Sequence, residues 1–139
     1  MNREEMAKEF IIKGKQPFNE DLSNLELLRF RFRLRLLREE LNEIEQEVNM
    51  RDINNNKWEN TPEDIKLENK AALLKEMADL QYVLSGMAAT FNLPLEEAYR
   101  RVHESNMSKF EPCIKYREDG KILKGDGYQP PYLEDLIDG

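Results

Sequence analysis

Leu27, Phe30, Leu34, Leu37, Leu41, Ile44 and Val48 recur at alternating steps of three and four, and neither Gly nor Pro interrupts the chain from about Leu22 to Asn49. Only an α-helix gathers such a series onto one stripe. Within it, Arg29-Phe-Arg-Phe-Arg-Leu-Arg-Leu36 alternates with the period of a half-buried strand. Seven positions in helical register outweigh four in strand register, so the whole segment is predicted to be helical. Leu73, Met77, Leu80, Leu84, Met87 and Phe91 repeat the rhythm in a second long helix, which ends near Asn92 ahead of Pro94. Its start reads as Thr61-Pro62-Glu63-Asp64: a hydroxyl N-cap, a proline in the first turn and acids at the positive end of the dipole.

Shorter elements flank these two. Arg3 to Lys13 reads as a helix with Met6, Phe10 and Ile11 on one side, ended by Gly14 and Pro17. Pro94-Leu-Glu-Glu opens another, running to about Ser105 with Ala98, Tyr99 and Val102 as its apolar residues. Asn54-Asn-Asn56 opens a polar loop, and after Pro112 the chain turns irregular, with a hairpin at Asp119-Gly120 and a Gly/Pro-rich tail. The expected architecture is all-α: long antiparallel helices forming a four-helix-bundle core completed by oligomerisation, and an irregular C-terminal tail with a short hairpin. One domain is expected over 1–139, helical over 1–110 and irregular over 111–139. Each long helix, at roughly 40 Å, is long for a single compact domain of this size. Each also carries a second, half-apolar flank, so a partner chain is expected to cover one of the two surfaces.

Composition narrows the function. The 139 residues hold 28 acids against 21 bases, a net charge of −7, which opposes a nucleic acid polymer as the main partner. No apolar run approaches the length that spans a bilayer, and Met1 to Phe10 lacks the apolar stretch of a secretory signal, so a soluble, cytoplasmic protein with no membrane partner is expected. Cys113 is the single cysteine and offers neither an intrachain disulfide nor a cysteine-based zinc site.

The acids show a pattern. With Leu37 at zero and about 100° per residue, the first long helix has its apolar stripe between about 340° and 80°, Glu40 near 300° and Glu43 near 240°. With Leu73 at zero, the second has Glu76 near 300° and Asp79 near 240°. The pairs occupy one offset, as a weak internal repeat: Leu37-x-x-Glu40-Leu41-x-Glu43-Ile44 is echoed by Leu73-x-x-Glu76-Met77-x-Asp79-Leu80. Small or apolar residues share that flank (Phe32 and Leu36; Ala72, Val83 and Gly86), so it should be half-buried. If the seams pack together, four carboxylates converge, and like charges in a partly desolvated cleft either raise their pKa values or need cations. Carboxylate-only ligation suits Mg²⁺ or Mn²⁺. Glu39 and Glu47 lie close enough to join, and Glu39 could serve as a base. A di-iron site would need Glu-x-x-His on two helices, and the one histidine, His103, follows Arg100 instead. Of the arginine series, Arg31, Arg35 and Arg38 point away from the acids, while Arg29 and Arg33 flank them and compensate charge.

Glu40-Leu41-Asn42-Glu43 and Glu76-Met77-Ala78-Asp79 are similar to the Glu-x-x-Glu and Glu-x-x-Asp signature of the all-α nucleoside triphosphate pyrophosphohydrolases of the MazG and dimeric dUTPase type. Glu39 gives the Glu-Glu-x-x-Glu form of many members. Gly14-Lys-Gln16-Pro17, Asp79-Leu-Gln-Tyr-Val-Leu-Ser-Gly86, Val102-His-Glu-Ser-Asn106-Met-Ser-Lys109 and Asp119-Gly-Lys-Ile-Leu-Lys-Gly125 with Pro130-Pro131 extend the likeness to a phage and bacterial MazG-like subgroup. The resemblance implies a Mg²⁺-dependent homodimer or homotetramer (Mn²⁺ as substitute) that cuts a nucleoside triphosphate to monophosphate and pyrophosphate by metal-activated water attack at the α phosphorus. Glu40, Glu43, Glu76 and Asp79 take the metal-ligand roles in it, and Asn106 and Lys109 face the outer phosphates. Gln16, Trp58 and Phe91 are candidates to touch the base, with Phe91 more naturally core. The segment between Glu43 and Glu76 is somewhat longer than is usual in the family, through the insertion from Asn54 to Asn60. Alternative substrates are phosphoribosyl-ATP and ppGpp. An alternative of a different class is a non-catalytic helical interaction protein.

Overall fold

The computed structural model describes residues 1–17, 27–50 and 59–137. Four α-helices occur among the described residues: α1 (Arg3–Lys13), α2 (Leu27–Met50), α3 (Glu63–Thr90) and α4 (Leu95–Met107), with one hairpin of β1 (Lys115–Tyr116) and β2 (Ile122–Leu123). The strand-like stretch Arg29 to Leu36 is α-helical throughout, as expected. The chain divides into two compact units, Met1–Asn92 and Leu93–Gly139.

The first unit is built on α3. Phe30 of α2 meets Phe91 just beyond α3, ring centroids 5.6 Å apart, while Glu40 and Glu43 meet Glu76 and Asp79 further along, so the two long helices run antiparallel. α1 lies parallel to α3: the Phe10 ring stands edge-on to Tyr82 at 5.6 Å, and Ile11 reaches Gly86. Side chains of Ala7, Ile11, Ala88 and Phe91 are buried where the elements meet. Met6 and Phe10, expected on the packed side of α1, are 45% and 60% exposed; the inward stripe is Ala7 and Ile11, one step round the helix. An Asn2 capping box with Glu5 starts α1. At its end the left-handed residue is Lys15 (φ 56°), with Gly14 still in the right-handed region. α3 also starts differently from expectation: Pro62 holds the cap position, without a side-chain cap bond, and Glu63 is the first helical residue.

The largest departure is rotational. Leu41, Val48, Met77 and Leu84, all placed in the expected seams, are 38–54% exposed. Phe30, Leu34, Leu37 and Ile44 of the first stripe and Leu73, Leu80, Met87 and Phe91 of the second are buried or half-buried as expected, and they are joined there by Arg33 and Glu40 on α2 and by Glu76, Asp79 and Val83 on α3. At about 100° per residue the inward faces of both helices are turned roughly 40–70° from the centres of the apolar stripes, toward the acidic flank. The acids therefore stand between the helices, and the outer edge of each leucine stripe faces outward.

In the second unit, α4 gives way at Ser108 to a 3₁₀ turn, Ser108–Phe110. Two backbone bonds hold the later chain against this turn: Gly125 N donates to Lys109 O (3.2 Å) and Gly127 N to Glu111 O (2.8 Å). The approach demands glycine, since a Cβ on Gly125 would lie 2.6 Å from Glu111 O and 2.7 Å from Lys109 O. Ser105 Oγ donates to Gln129 O (2.7 Å), and Gln129 N to Ser108 Oγ (2.9 Å). The hairpin pairs Lys115 with Leu123 and Tyr116 with Ile122, and Gly120 (φ 92°) turns it where Asp119-Gly120 predicted. Both strands are exposed, as is Cys113.

Candidate metal centre

Glu40 and Glu43 lie three residues apart on α2, Glu76 and Asp79 three apart on α3, and antiparallel packing sets the pairs at one level. Each offers a carboxylate oxygen, and these oxygens all lie within 4.8 Å of one another. Glu40, Glu76 and Asp79 are half-buried and Glu43 is exposed. One oxygen of Glu40 and one of Glu76, both Oε2, are shut off from solvent with no hydrogen-bond partner. Buried carboxylate oxygens without donors are costly, and four ionised acids cannot donate to each other. A proton bridging to Glu43, then desolvation, raises Glu76 above the ordinary carboxylate value, with Lys75 pulling the other way. A divalent cation would answer both problems at once: it takes hard oxygen ligands, and opposite ligands on Mg²⁺ sit about 4.2 Å apart. The residues fit such an ion.

Lys75 is the functional neighbour that the sequence reading missed. Its Nζ lies 2.8 Å from Asp79 Oδ2 and 3.8 Å from Glu76 Oε1, an arrangement that i, i+4 spacing alone would have suggested. Glu39 and Glu47, considered as additional members, are not part of the converging group; Glu39 is exposed and about 40° round the helix from Glu43. Arg33 does not compensate the acids either: it is buried, and its Nη2 donates to Gln16 Oε1 at 3.2 Å. Arg31, Arg35 and Arg38 are exposed, as expected. Phe91 is core, 3% exposed, and Trp58 lies outside the described residues. In the second unit Asn106 is exposed on the last turn of α4 and Lys109 half-buried on the 3₁₀ turn. The cleft beside them is lined by Arg100 and Arg101, whose charges Glu97, Glu104 and Asp135 already neutralise.

Two antiparallel helices carrying a convergent four-carboxylate cluster make an all-α scaffold able to hold a divalent cation. Residues 6–106 match the phosphoribosyl-ATP pyrophosphohydrolase family, and the chain belongs to it. That family falls within the MazG-like all-α nucleoside triphosphate pyrophosphohydrolase superfamily, whose enzymes cleave a nucleotide pyrophosphate bond with a divalent metal. Compared directly, no curated protein matches the chain. No helix among the described residues is long and apolar enough to cross a membrane.

Proposed function

We propose that this protein hydrolyses nucleoside triphosphates, including deoxynucleotides, between the α and β phosphates with Mg²⁺, as a MazG-like enzyme. The observation that carries the reading is the convergence of Glu40, Glu43, Glu76 and Asp79, two of which hold a buried, unpartnered oxygen. These four residues would hold the ion. When bound, it supplies Lewis-acid polarisation of phosphoryl oxygens and a water acidified near neutrality. Glu39, exposed beyond Glu43, accepts the proton from the attacking water. The resemblance assigns Lys109 and Asn106 to the departing pyrophosphate, whose charge grows as the bond breaks. A triphosphate and phosphoribosyl-ATP present the same scissile bond, and the family match favours the latter as a second reading.

Assembly belongs to the same proposal. Leu41, Val48, Met77 and Leu84 form an outward apolar stripe on the α2–α3 pair, and a second copy covering it completes a four-helix bundle in a homodimer or homotetramer. Pyrophosphate release from each common dNTP and from phosphoribosyl-ATP, with Mg²⁺ and again with EDTA, tests the activity. Release from none of them with Mg²⁺ would leave an acidic helical interaction protein as the better description.

A further inference from the structure

Arg33 precedes Glu40 by seven residues on α2, and Gly86 follows Asp79 by seven on α3. Seven residues are nearly two full turns, so each pair shares a helix face, about 10 Å apart along the axis. The α2–α3 groove thus holds four carboxylates at one level and one arginine at the next. Arg33 is only 6% exposed, and Gln16, a neutral amide, is its hydrogen-bond partner among the described residues. Burial lowers its pKa, and among the described residues no charged group stands within ion-pairing distance of it. A guanidinium remains charged regardless, and holding it out of water beside the Gln16 amide and the Phe32 ring, 5.7 Å from its centroid, is unfavourable with no acid beside it among the described residues; for packing alone, a Met or Leu would serve better. Its Nη1 faces Gly86, where a Cβ would stand 3.6 Å from it and 3.7 Å from Ile11 Cδ1.

Resting on the reading of the carboxylates as a nucleotide phosphate site, we infer that Arg33 and Gln16 form its base-reading end and select bases that present oxygen acceptors. Gln16 spends its carbonyl on Arg33 and has amide hydrogens left, while Arg33 has donors only, so the pair displays nothing but donors. Guanine, through O6 and N7, and uracil or thymine, through O4, accept from such a pair; the amino groups of adenine and cytosine oppose it. A base fits better than a further phosphate, which would bring about two negative charges to a guanidinium that has no second cation beside it among the described residues. The water-poor setting makes each mismatch costly, because the donors would be left unpaired.

The test compares kcat/KM for dGTP, dUTP, dATP and dCTP in the full-length wild type, Arg33→Met, Arg33→Lys and Gln16→Leu. Wild type is expected to favour dGTP and dUTP by about tenfold or more. In Arg33→Met that ratio falls to about one. Arg33→Lys, which keeps the charge but not the fork, loses most of it and serves alone should the methionine variant fail to fold. Calorimetric binding of GMP, UMP, AMP and CMP with Mg²⁺ asks the same question without turnover, so an inactive wild type refutes the proposed hydrolysis and still leaves this inference decided. Equal wild-type preference for the four bases would overturn the inference, as would an equal loss for all four in Arg33→Met and Arg33→Lys. Binding of inorganic phosphate that disappears in Arg33→Met would overturn it too, by making this a phosphate subsite.

Discussion

Lys75 and Asp79 stand one turn apart on α3, with Nζ 2.8 Å from Oδ2, and Glu76 Oε1 lies 3.8 Å from the same ammonium. Lys75 is thus the cation that the cluster finds within its own helix; its hydrogen bond to Asp79, then the nearby acids, raise it above the ordinary lysine value. Its side chain is 70% exposed, so the pair is weak. Lys75→Ala is expected to raise the apparent Mg²⁺ affinity by roughly two- to fivefold, because the ion no longer displaces an ammonium. Titration calorimetry checks this, and an unchanged affinity would mean that the lysine does not compete.

Glu76→Gln should abolish pyrophosphate release yet melt, in EDTA, at or above the wild-type temperature. Glu76 has its pKa raised in the fold above the ordinary carboxylate value, so the ionised form is disfavoured there. At neutral pH wild type carries that penalty in full, and glutamine removes it. The advantage shrinks as pH falls through the raised value and is gone below about 4.5, where folded and unfolded carboxyls are both protonated. Melts in EDTA from pH 3 to 8 follow it; a glutamine variant less stable than wild type at pH 7 contradicts the repulsion argument.

Glu97 has the opposite sign. Hydrogen bonds from Arg100 and then Arg101 hold its carboxyl down to about 2. A depressed carboxylate stabilises the fold fully above its unfolded value, and that contribution drains away as pH falls through the folded one. By NMR its carboxyl should titrate near pH 2 in wild type, and Arg101→Met should move the midpoint upward. A midpoint above 4 in wild type would dismiss the ion-pair triad.

Lys109→Ala is expected to raise KM and lower kcat, since the charge it meets grows toward the transition state. Lys115→Ala, at an exposed position loosely paired with Asp126 at 3.5 Å, should behave as wild type. Equal kinetics for both variants would return Lys109 to the ordinary surface cations.

Met77→Lys puts a charge on the outward stripe and should reduce the mass seen by light scattering at micromolar concentration, with helical circular dichroism retained. A wild-type chain already monomeric there would remove the reason for the stripe.

The helices were legible because their signal is redundant: six or seven apolar positions fix each long one, and Asp119-Gly120 alone fixes the hairpin. The four acids were legible for the same reason, as two pairs at one angular offset. What periodicity could not supply was the direction each helix faces. Hydrophobicity points to the middle of the leucine stripe, but the packed face is rotated toward the acidic flank, and Leu41 and Met77 are left outward. The burial of Arg33 was hidden too, because the chain just beyond α1 supplies its partner from seventeen residues away and local spacing carries no trace of it.

The contact of Gly125 and Gly127 with the turn at Lys109 sets a rule for handling the molecule. Carbonyls at 109 and 111 are capped by amides from downstream, and the two glycines admit that strand only because they lack side chains. A chain trimmed after the hairpin would keep every residue of α4 and its 3₁₀ turn and still strip the clasp from Lys109. Anyone shortening this protein for crystallisation, or fusing a tag within residues 125–129, would be altering the turn at Lys109 from a distance.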